Sequence, residues 1–324
     1  MLLPLILALM TQAPAEPPPA APPAEEIAPG VHLIPGAILP GRGPDGNTVV
    51  FEAPEGLVVI DTGRHVWHSG AILAFAAARR APIAAIFNTH WHLDHSSGNG
   101  RLKTVHPAAR VYTTNAVDRA LSAEGFLTRN MAGARTMLAG DQISAVQREE
   151  VQIFLDTMAQ SQVLRPDVVI ERSAEQSIAG RQFDVRVTPS AVSDADLWIY
   201  DPSTRVAIIG DLVTLPAPFF ETACPEGWRA VLDAVWETPF EIVVPGHGAP
   251  MRRGEFNLYR NAYSRFIDCV QSDSEAEVCA ERWQVSAGRL LHTEQSSAAA
   301  LQMARYYVGY LRSNGGKSPD CLTR

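Results

Sequence analysis

The sequence NTHWHLDH occupies residues 88–95 and directly follows a mostly apolar run, Ile83–Phe87. That run has the length and composition of a buried strand, so the polar stretch begins where the strand ends. Four side chains that can bind a metal ion occur within six residues: His90, His92, Asp94 and His95. Neutral imidazoles and carboxylates are ligands that zinc prefers, and iron and manganese accept them as well. The stretch therefore predicts a metal site at the end of a strand.

The order of the side chains in this stretch predicts two neighbouring metal positions. Side chains alternate along a strand, so His90 and His92 are expected to point to the same side and to meet one cation. Asp94 and His95 follow a turn and are expected to face a second position nearby. A polar surface loop rich in histidine is the alternative, but the location at a strand end favours metal binding.

The composition restricts the classes of partner. The chain has 324 residues, with 27 Lys and Arg against 35 Asp and Glu, and a formal net charge of -8. This acidic balance disfavours nucleic acid and anionic membrane surfaces, because both attract basic patches. Beyond the first ten residues, no apolar stretch approaches the ~20 residues of a membrane span. We expect a small-molecule substrate; the sequence does not indicate an oligomeric state.

The first 29 residues have the composition of processed and connecting sequence. Met1–Met10 is apolar, and Ala13-Pro14-Ala15 has the small-x-small pattern that signal peptidases accept. Residues 1–15 are therefore predicted to be a signal peptide, and residues 16–29 a tether rich in proline and alanine. An exported protein, periplasmic or secreted, is expected.

The cysteines agree with export. All four, Cys224, Cys269, Cys279 and Cys321, lie in the last third of the chain, and none forms a CxxC pair. An even number of cysteines in an exported protein suggests two disulfides, with three possible connectivities. The most local pairing joins Cys269 to Cys279. Four buried thiols are the alternative if residues 1–15 are not a signal peptide.

Strand and helix patterns alternate on both sides of the metal stretch. Short strands bounded by turn residues precede it, and residues 116–162 have the composition of helices. The second half repeats the alternation, and residues 253–324 carry apolar stripes at helical spacing. The pattern predicts an α/β (α+β) fold with a helical C-terminal extension.

Three further motifs stand around the metal stretch. Asp61-Thr62-Gly63 precedes it after an apolar strand, while Gly210-Asp211 and Pro245-Gly246-His247-Gly248 follow it. In this order, and with the HxHxDH pattern, they resemble the metallo-β-lactamase superfamily over about Pro29–Met251. The resemblance implies a four-layer αβ/βα sandwich spanning residues 30–252, with residues 253–324 packed on it as an extension.

The resemblance also implies a metal site for each ligand. His90 and His92 match the first site of the family. Asp94, His95 and His247 match the second. Zinc is the implied cofactor, as one or two ions, and iron is the less favoured metal.

Two aspartates complete the implied site. Asp211 matches the carboxylate that bridges the two metals. Asp61 matches a buried aspartate that orients the ligand loops without binding metal itself.

One ligand of the family is missing from this chain. The family's first site has a third histidine, and aligning the sequence on Asp196 puts Val192 in its place. No histidine occurs between His106 and His247. The protein is then dinuclear with a weakened first metal, mononuclear at the second site, or catalytically degenerate. His65, just beyond Asp61, is a candidate to fill the gap, although loop histidines more often do not touch metal.

Metal chemistry defines the expected function. Zinc lowers the pKa of bound water from ~15.7 to ~7, so the resemblance predicts hydrolysis of an ester, lactone, amide or phosphoester, with Asp94 handling the proton. A β-lactamase-like activity is one option within this class. Two alternatives remain: a degenerate protein that binds metal or ligand, and a non-haem iron redox enzyme using His90, His92 and Asp211.

Overall fold

A computed structural model describes residues 23–140 and 142–321. The predicted signal peptide at residues 1–15 lies outside this part of the chain. The chain divides into two compact units. The first runs to Glu171 and adds Ser177–Arg181, and the second contains Arg172–Gln176 and everything from Gln182 onward.

The first unit is built on a seven-stranded mixed sheet. Its strands lie in the order β1-β2-β3-β4-β5-β6-β7. They are β1 (Glu25–Ala28), β2 (Val31–Ile34), β3 (Thr48–Ala53), β4 (Gly56–Ile60), β5 (Ile83–Phe87), β6 (Arg110–Thr113) and β7 (Val168–Val169). Neighbours from β1 to β4 are antiparallel, and those from β4 to β7 are parallel.

The change from antiparallel to parallel pairing follows from the connections. Residues 54 and 55 join β3 to β4 in a tight hairpin, whereas a helix, α1 (Val66–Arg79), separates β4 from β5. A parallel pair needs such a crossover. Ile72 of α1 packs with Val50, Val59 and Ile86 in a buried apolar core. Parallel pairing brings the carboxyl ends of β4 and β5 to the same edge of the sheet.

The remaining helices of the first unit flank the later strands. They are α2 (Leu93–Ser96), α3 (Asn99–Val105), α4 (Ala116–Ala120), α5 (Phe126–Ala139) and α6 (Ala145–Ala159). The helices predicted for residues 116–162 are therefore confirmed. Helix α6 begins at a capping box, in which Ser144 and Gln147 satisfy each other's backbone amides.

The second unit has a five-stranded sheet in the order β12-β11-β10-β9-β8. Its strands are β8 (Ala174–Ile178), β9 (Arg181–Pro189), β10 (Ala195–Asp201), β11 (Val206–Ile208) and β12 (Ile242–Val244). Strands β9, β10 and β11 pair antiparallel, and β11 pairs parallel with β12. Helix α7 (Pro225–Glu237) lies between β11 and β12 in sequence and provides the crossover.

The C-terminal part of the second unit is helical. It contains α8 (Arg253–Gln271), α9 (Ala276–Ala287) and α10 (Glu294–Ser313). Their apolar faces supply large aromatic side chains to one buried core, including Tyr259, Tyr263, Phe266, Trp283 and Tyr307. The apolar stripes of this segment are therefore part of a buried core.

Two disulfides cross-link this helical part. Cys269 of α8 is joined to Cys279 of α9, and Cys224, which precedes α7, is joined to Cys321. The two predicted disulfides, including the local pair, are thus present.

The N-terminal segment differs from the sequence-based expectation. Glu25–Ala28 lies in the predicted tether, yet it forms edge strand β1 and pairs with β2. Gly30, with a φ of 66°, allows the tight turn between these two strands. Within the described residues, no helix combines the length and apolar character needed to cross a membrane.

Candidate metal centre

Asp61 lies beside the metal loop, residues 88–95, because β4 and β5 end side by side. The last residues of the two strands, Ile60 and Phe87, are register partners. The Asp61 amide donates to the Phe87 carbonyl at 2.8 Å. Asp61 has a φ of 60°, a left-handed conformation that aspartate tolerates better than most residues. This sharp turn aims its carboxylate at the loop that follows β5.

The Asp61 carboxylate holds the metal loop through three contacts. Oδ1 accepts a hydrogen bond from the Thr89 amide at 2.8 Å, and Oδ2 accepts one from the Thr89 hydroxyl at 2.8 Å. Oδ2 also lies 2.8 Å from Nδ1 of His95. All three residues are buried. These contacts join Asp61 to the metal loop, and the orienting role that the resemblance implies for it stays a prediction.

The contact with Asp61 determines how His95 presents its ring. A carboxylate that accepts from Nδ1–H selects the tautomer with the lone pair on Nε2, the form that binds metal. His95 Nε2 lies 3.5 Å from Oδ2 of Asp94. The His95 carbonyl accepts from the Thr62 amide at 2.8 Å and from the Asn88 side chain at 3.0 Å. Both the ring and the backbone of His95 are thus fixed.

His90 and His92 come together, but not by strand alternation. Strand β5 ends at Phe87, so the period-two argument does not apply to them. The loop itself brings their ring centroids to 4.4 Å, with a ligand atom of each within 4.8 Å of the other. Trp91 is buried and stands edge-on to His92 at 4.6 Å.

In the second unit, Asp211 and His247 also follow the ends of two neighbouring parallel strands. Ile208 of β11 and Val244 of β12 are parallel register partners, and each ligand follows three residues later. His247 Nε2 lies 3.5 Å from Oδ1 of Asp211. A side chain at Gly246 would overlap this carboxylate, so the close approach requires glycine.

The donor atoms fit a zinc ion. Two ligand atoms about 2.0–2.1 Å from a tetrahedral zinc are about 3.4 Å apart. The Asp94 to His95 and Asp211 to His247 separations, each 3.5 Å, match this value and are longer than a hydrogen bond. Side chains able to hold a metal ion thus occur in both units.

Val192 has an apolar side chain, which cannot bind a metal ion. It is 1% exposed and belongs to the apolar core of the second unit. The Val192 amide donates to Asp196 at 2.9 Å, and the Ser193 hydroxyl donates to the same carboxylate at 2.6 Å. Burial raises the pKa of Asp196 to about 7 despite these hydrogen bonds. The Asp196 carboxylate therefore holds the turn at residues 192 and 193 by accepting hydrogen bonds from their backbone amides.

The structure does not support His65 as a compensating ligand. Its Nδ1 lies 2.8 Å from Oδ2 of Asp45, and its Nε2 lies 2.9 Å from Oε1 of Glu150. Both ring nitrogens are engaged by carboxylates, so neither is placed to bind a metal ion. The alternative, that His65 does not touch metal, agrees with these contacts; His65 is the N-cap residue of α1, and it is buried.

Sequence reasoning missed Asp45 and Glu150. Asp45 lies in the run Gly43-Pro44-Asp45-Gly46, which indicates only a turn. Glu150 is one acidic residue among several on a helix. A single sequence carries no signal that would bring these residues to His65.

The chain belongs to the metallo-β-lactamase superfamily, which it matches over residues 41–247. The linear primary-alkylsulfatase of Pseudomonas sp. (strain ATCC 19151) is 28% identical over 218 residues, which are 62% of this chain and 41% of that protein. The chain thus aligns with less than half of this relative. The family predicted from the motifs is confirmed.

Solved structures share the fold. The stereoselective inverting sec-alkylsulfatase Pisa1 from Pseudomonas sp. superposes with a TM-score of 0.59 at 18% identity, over 89% of this chain and 50% of that one. A metallo-β-lactamase from Pontibacter korlensis gives 0.52 at 18% identity, over 72% and 94%. The predicted fold class is confirmed.

Proposed function

We propose that the chain is a zinc-dependent hydrolase with two groups of metal ligands. The proposed ligands are His90, His92, Asp94 and His95 in the first unit and Asp211 and His247 in the second. The observation that carries the proposal is the pair of 3.5 Å separations between carboxylate and imidazole, one in each unit, which match adjacent ligands of one ion.

The ligand side chains divide the chemical work. Bound zinc would supply Lewis acidity and lower the pKa of water to ~7. The Asp94 side chain is 15% exposed, whereas those of His95, Asp211 and His247 are 5% exposed or less. Asp94 is therefore the ligand best placed to exchange a proton with solvent or substrate. Asp61 keeps His95 in the metal-binding tautomer while this occurs.

Alkyl sulfate esters are the first substrates to test. The support is the sequence similarity to a linear primary-alkylsulfatase. Carboxylic esters, lactones, β-lactam amides and phosphoesters are the other members of the proposed class, because an activated water attacks each of them. Fold similarity by itself does not choose among them.

The experiment is a hydrolysis screen with and without metal. One representative of each substrate class is incubated with protein treated with chelator, and again after zinc is restored. We expect turnover of at least one class, lost on chelation and regained with zinc. His247→Ala should abolish it, whereas His292→Ala, which changes an exposed histidine, should not. Turnover that survives chelation contradicts the proposal, and zinc-loaded protein that hydrolyses no class favours a binding protein.

We also propose that the protein works outside the cytoplasm. Disulfides persist in oxidising compartments, and two of them join the four cysteines. Export through residues 1–15 remains a prediction, which N-terminal sequencing of the mature protein tests directly. A mature chain that still begins at Met1 contradicts it.

A further inference from the structure

A buried cluster in the first unit places one imidazole between two carboxylates. His65 contacts Asp45 through Nδ1 at 2.8 Å and Glu150 through Nε2 at 2.9 Å. The side chains of all three are no more than 2% exposed. Burying charged groups to this degree destabilises the folded protein unless each group is paired and hydrogen bonded. The hydrogen-bond partners of the two carboxylates are therefore decisive.

The pairing is complete on both carboxylates. Asp45 Oδ1 accepts from the amides of Arg64 and His65, at 2.6 and 2.9 Å. Glu150 Oε2 accepts from the Gly43 amide at 3.0 Å and lies 3.3 Å from Nε of Arg64. Hydrogen bonds to buried carboxylates hold the groups that donate to them in one arrangement. The cluster therefore fixes the backbone on both sides of Asp45.

Aromatic packing closes the cluster to water. The Trp67 ring stacks on His65 with centroids 4.0 Å apart. The guanidinium of Arg42 lies 5.2 Å from the centre of the same Trp67 ring and also contacts Glu150 at 3.3 Å. A low local dielectric strengthens the charged hydrogen bonds beneath this cover.

The fixed backbone leads directly to the metal loop. Gly46 follows Asp45, and its amide donates to the carbonyl of Asp94 at 2.9 Å. The Gly46 backbone also lies against the ring of His95, where a Cβ atom would overlap the imidazole. Gly46 thus contacts two candidate metal ligands, the backbone of Asp94 and the ring of His95.

We infer that Glu150, His65 and Asp45 form a positioning network for Asp94 and His95. Helix α6 contributes Glu150 from 85 residues beyond His65, so this helix sets the position of the metal loop through the network. None of the three touches metal; they act through Gly46. The inference rests on the proposed function, because it concerns how tightly the same ligands hold zinc.

The test measures zinc affinity in the full chain, with zinc alone as the probe. Competition with a chromophoric chelator gives the Kd of wild type, Glu150→Gln and Glu149→Gln. Glu149 precedes Glu150 on α6, but its side chain is 47% exposed and contacts only Arg42 in this cluster. We expect Glu150→Gln to weaken zinc binding about 10- to 100-fold. Glu149→Gln should bind zinc as the wild type does.

A second variant and a second readout exclude a general loss of folding. Asp45→Asn keeps the Oδ1 acceptor while removing the charge that faces His65, and it should weaken zinc binding in the same range. Thermal unfolding of each metal-free variant measures stability separately. Variants that unfold at a lower temperature but bind zinc as tightly as wild type overturn the inference. Wild type that binds no zinc overturns the proposed function and the inference together.

Discussion

The Asp61 carboxylate lies 2.8 Å from Nδ1 of His95 and bonds through both oxygens to Thr89. One side chain at the end of β4 thereby fixes both the backbone at the start of the metal loop and the imidazole near its end. Parallel pairing of β4 with β5 makes this geometry possible, because it brings residues 61 and 88 to one edge of the sheet. The residue that follows β4 thus contacts the loop that follows β5.

Asp61→Asn should weaken metal binding without unfolding the protein. Asparagine tolerates the left-handed backbone at this position, so the turn is expected to persist. Asparagine has one acceptor oxygen where aspartate has two, so it cannot accept from the Thr89 amide and also from the Thr89 hydroxyl and His95 Nδ1. The hydrogen bond that orients the imidazole is therefore impaired. We expect a zinc Kd about 10- to 100-fold higher by chelator competition. Asp233→Asn, at an exposed carboxylate, is the control, and equal affinities in the two variants would contradict the role of Asp61.

Gly46→Ala should disturb His95 through sterics alone. The added Cβ would overlap the imidazole, and the buried ring has no room to move away. Overpacking of this kind costs about 1–3 kcal/mol. Gly133→Ala is the matched control, because this glycine lies inside helix α5 with nothing within 4 Å of its Cβ position. It should stabilise the protein by about 0.5–1 kcal/mol.

Denaturant unfolding of the two glycine variants gives both free energies. If Gly46→Ala is as stable as wild type and binds zinc with unchanged affinity, the backbone at Gly46 is not packed closely against the His95 ring. Gly133→Ala that destabilises the protein would show that the helix does not tolerate a side chain there.

The metal loop could be predicted because its signal is local. The candidate ligands His90, His92, Asp94 and His95 stand within six positions, directly after an apolar run, and no distant contact is needed to recognise them. Asp211 and His247 could be placed because the motifs Gly210-Asp211 and Pro245-Gly246-His247-Gly248 resemble those of the family. The register of parallel strands then determines which residues meet at the edge.

The supporting contacts could not be predicted because they join distant positions. Glu150 reaches His65 across 85 residues, and Cys321 reaches Cys224 across 97. Neither pairing leaves a periodic trace in the sequence. Strand β1 lies in a proline-rich stretch and forms because its backbone pairs with β2, which composition does not reveal. Tertiary contacts decided each of these features.

The cluster around His65 should make stability depend on pH. Burial favours the neutral imidazole, but the hydrogen bonds and charges of Asp45 and Glu150 outweigh it and raise the pKa of His65 above 6.5. Burial likewise opposes ionisation of the two carboxyls, but contacts with His65 outweigh it, and the pKa values of Asp45 and Glu150 fall below 3.8 and 4.5.

The sign of the pH dependence follows from these directions. The stabilisation from charged His65 is complete below pH 6.5 and is lost as the pH rises through its raised pKa. The stabilisation from the carboxylates is complete above pH 4.5 and is lost as the pH falls through their lowered values. The difference in unfolding free energy between wild type and His65→Gln should thus be larger at pH 5.5 than at pH 9. An equal difference at the two pH values would show that His65 is not charged in the folded protein.

The two disulfides should stabilise the protein unequally. Cys224–Cys321 closes a separation of 97 residues, and Cys269–Cys279 one of 10. In the chain-entropy model the longer loop constrains the unfolded chain by about 2 kcal/mol more. Replacing both cysteines of the first pair with serine should therefore cost about 2 kcal/mol more than replacing both of the second, measured by denaturant unfolding under oxidising conditions. The reverse order would contradict this expectation.

Metal content per chain tests the central claim most directly. Elemental analysis is made on wild type, His95→Ala and the exposed-site control His292→Ala, each purified without chelator or metal-affinity columns. We expect one or two zinc ions in wild type and in the control, and a loss of at least one ion in His95→Ala. Wild type without stoichiometric metal, or His95→Ala with an unchanged zinc content, would contradict the assignment of this site as a metal centre.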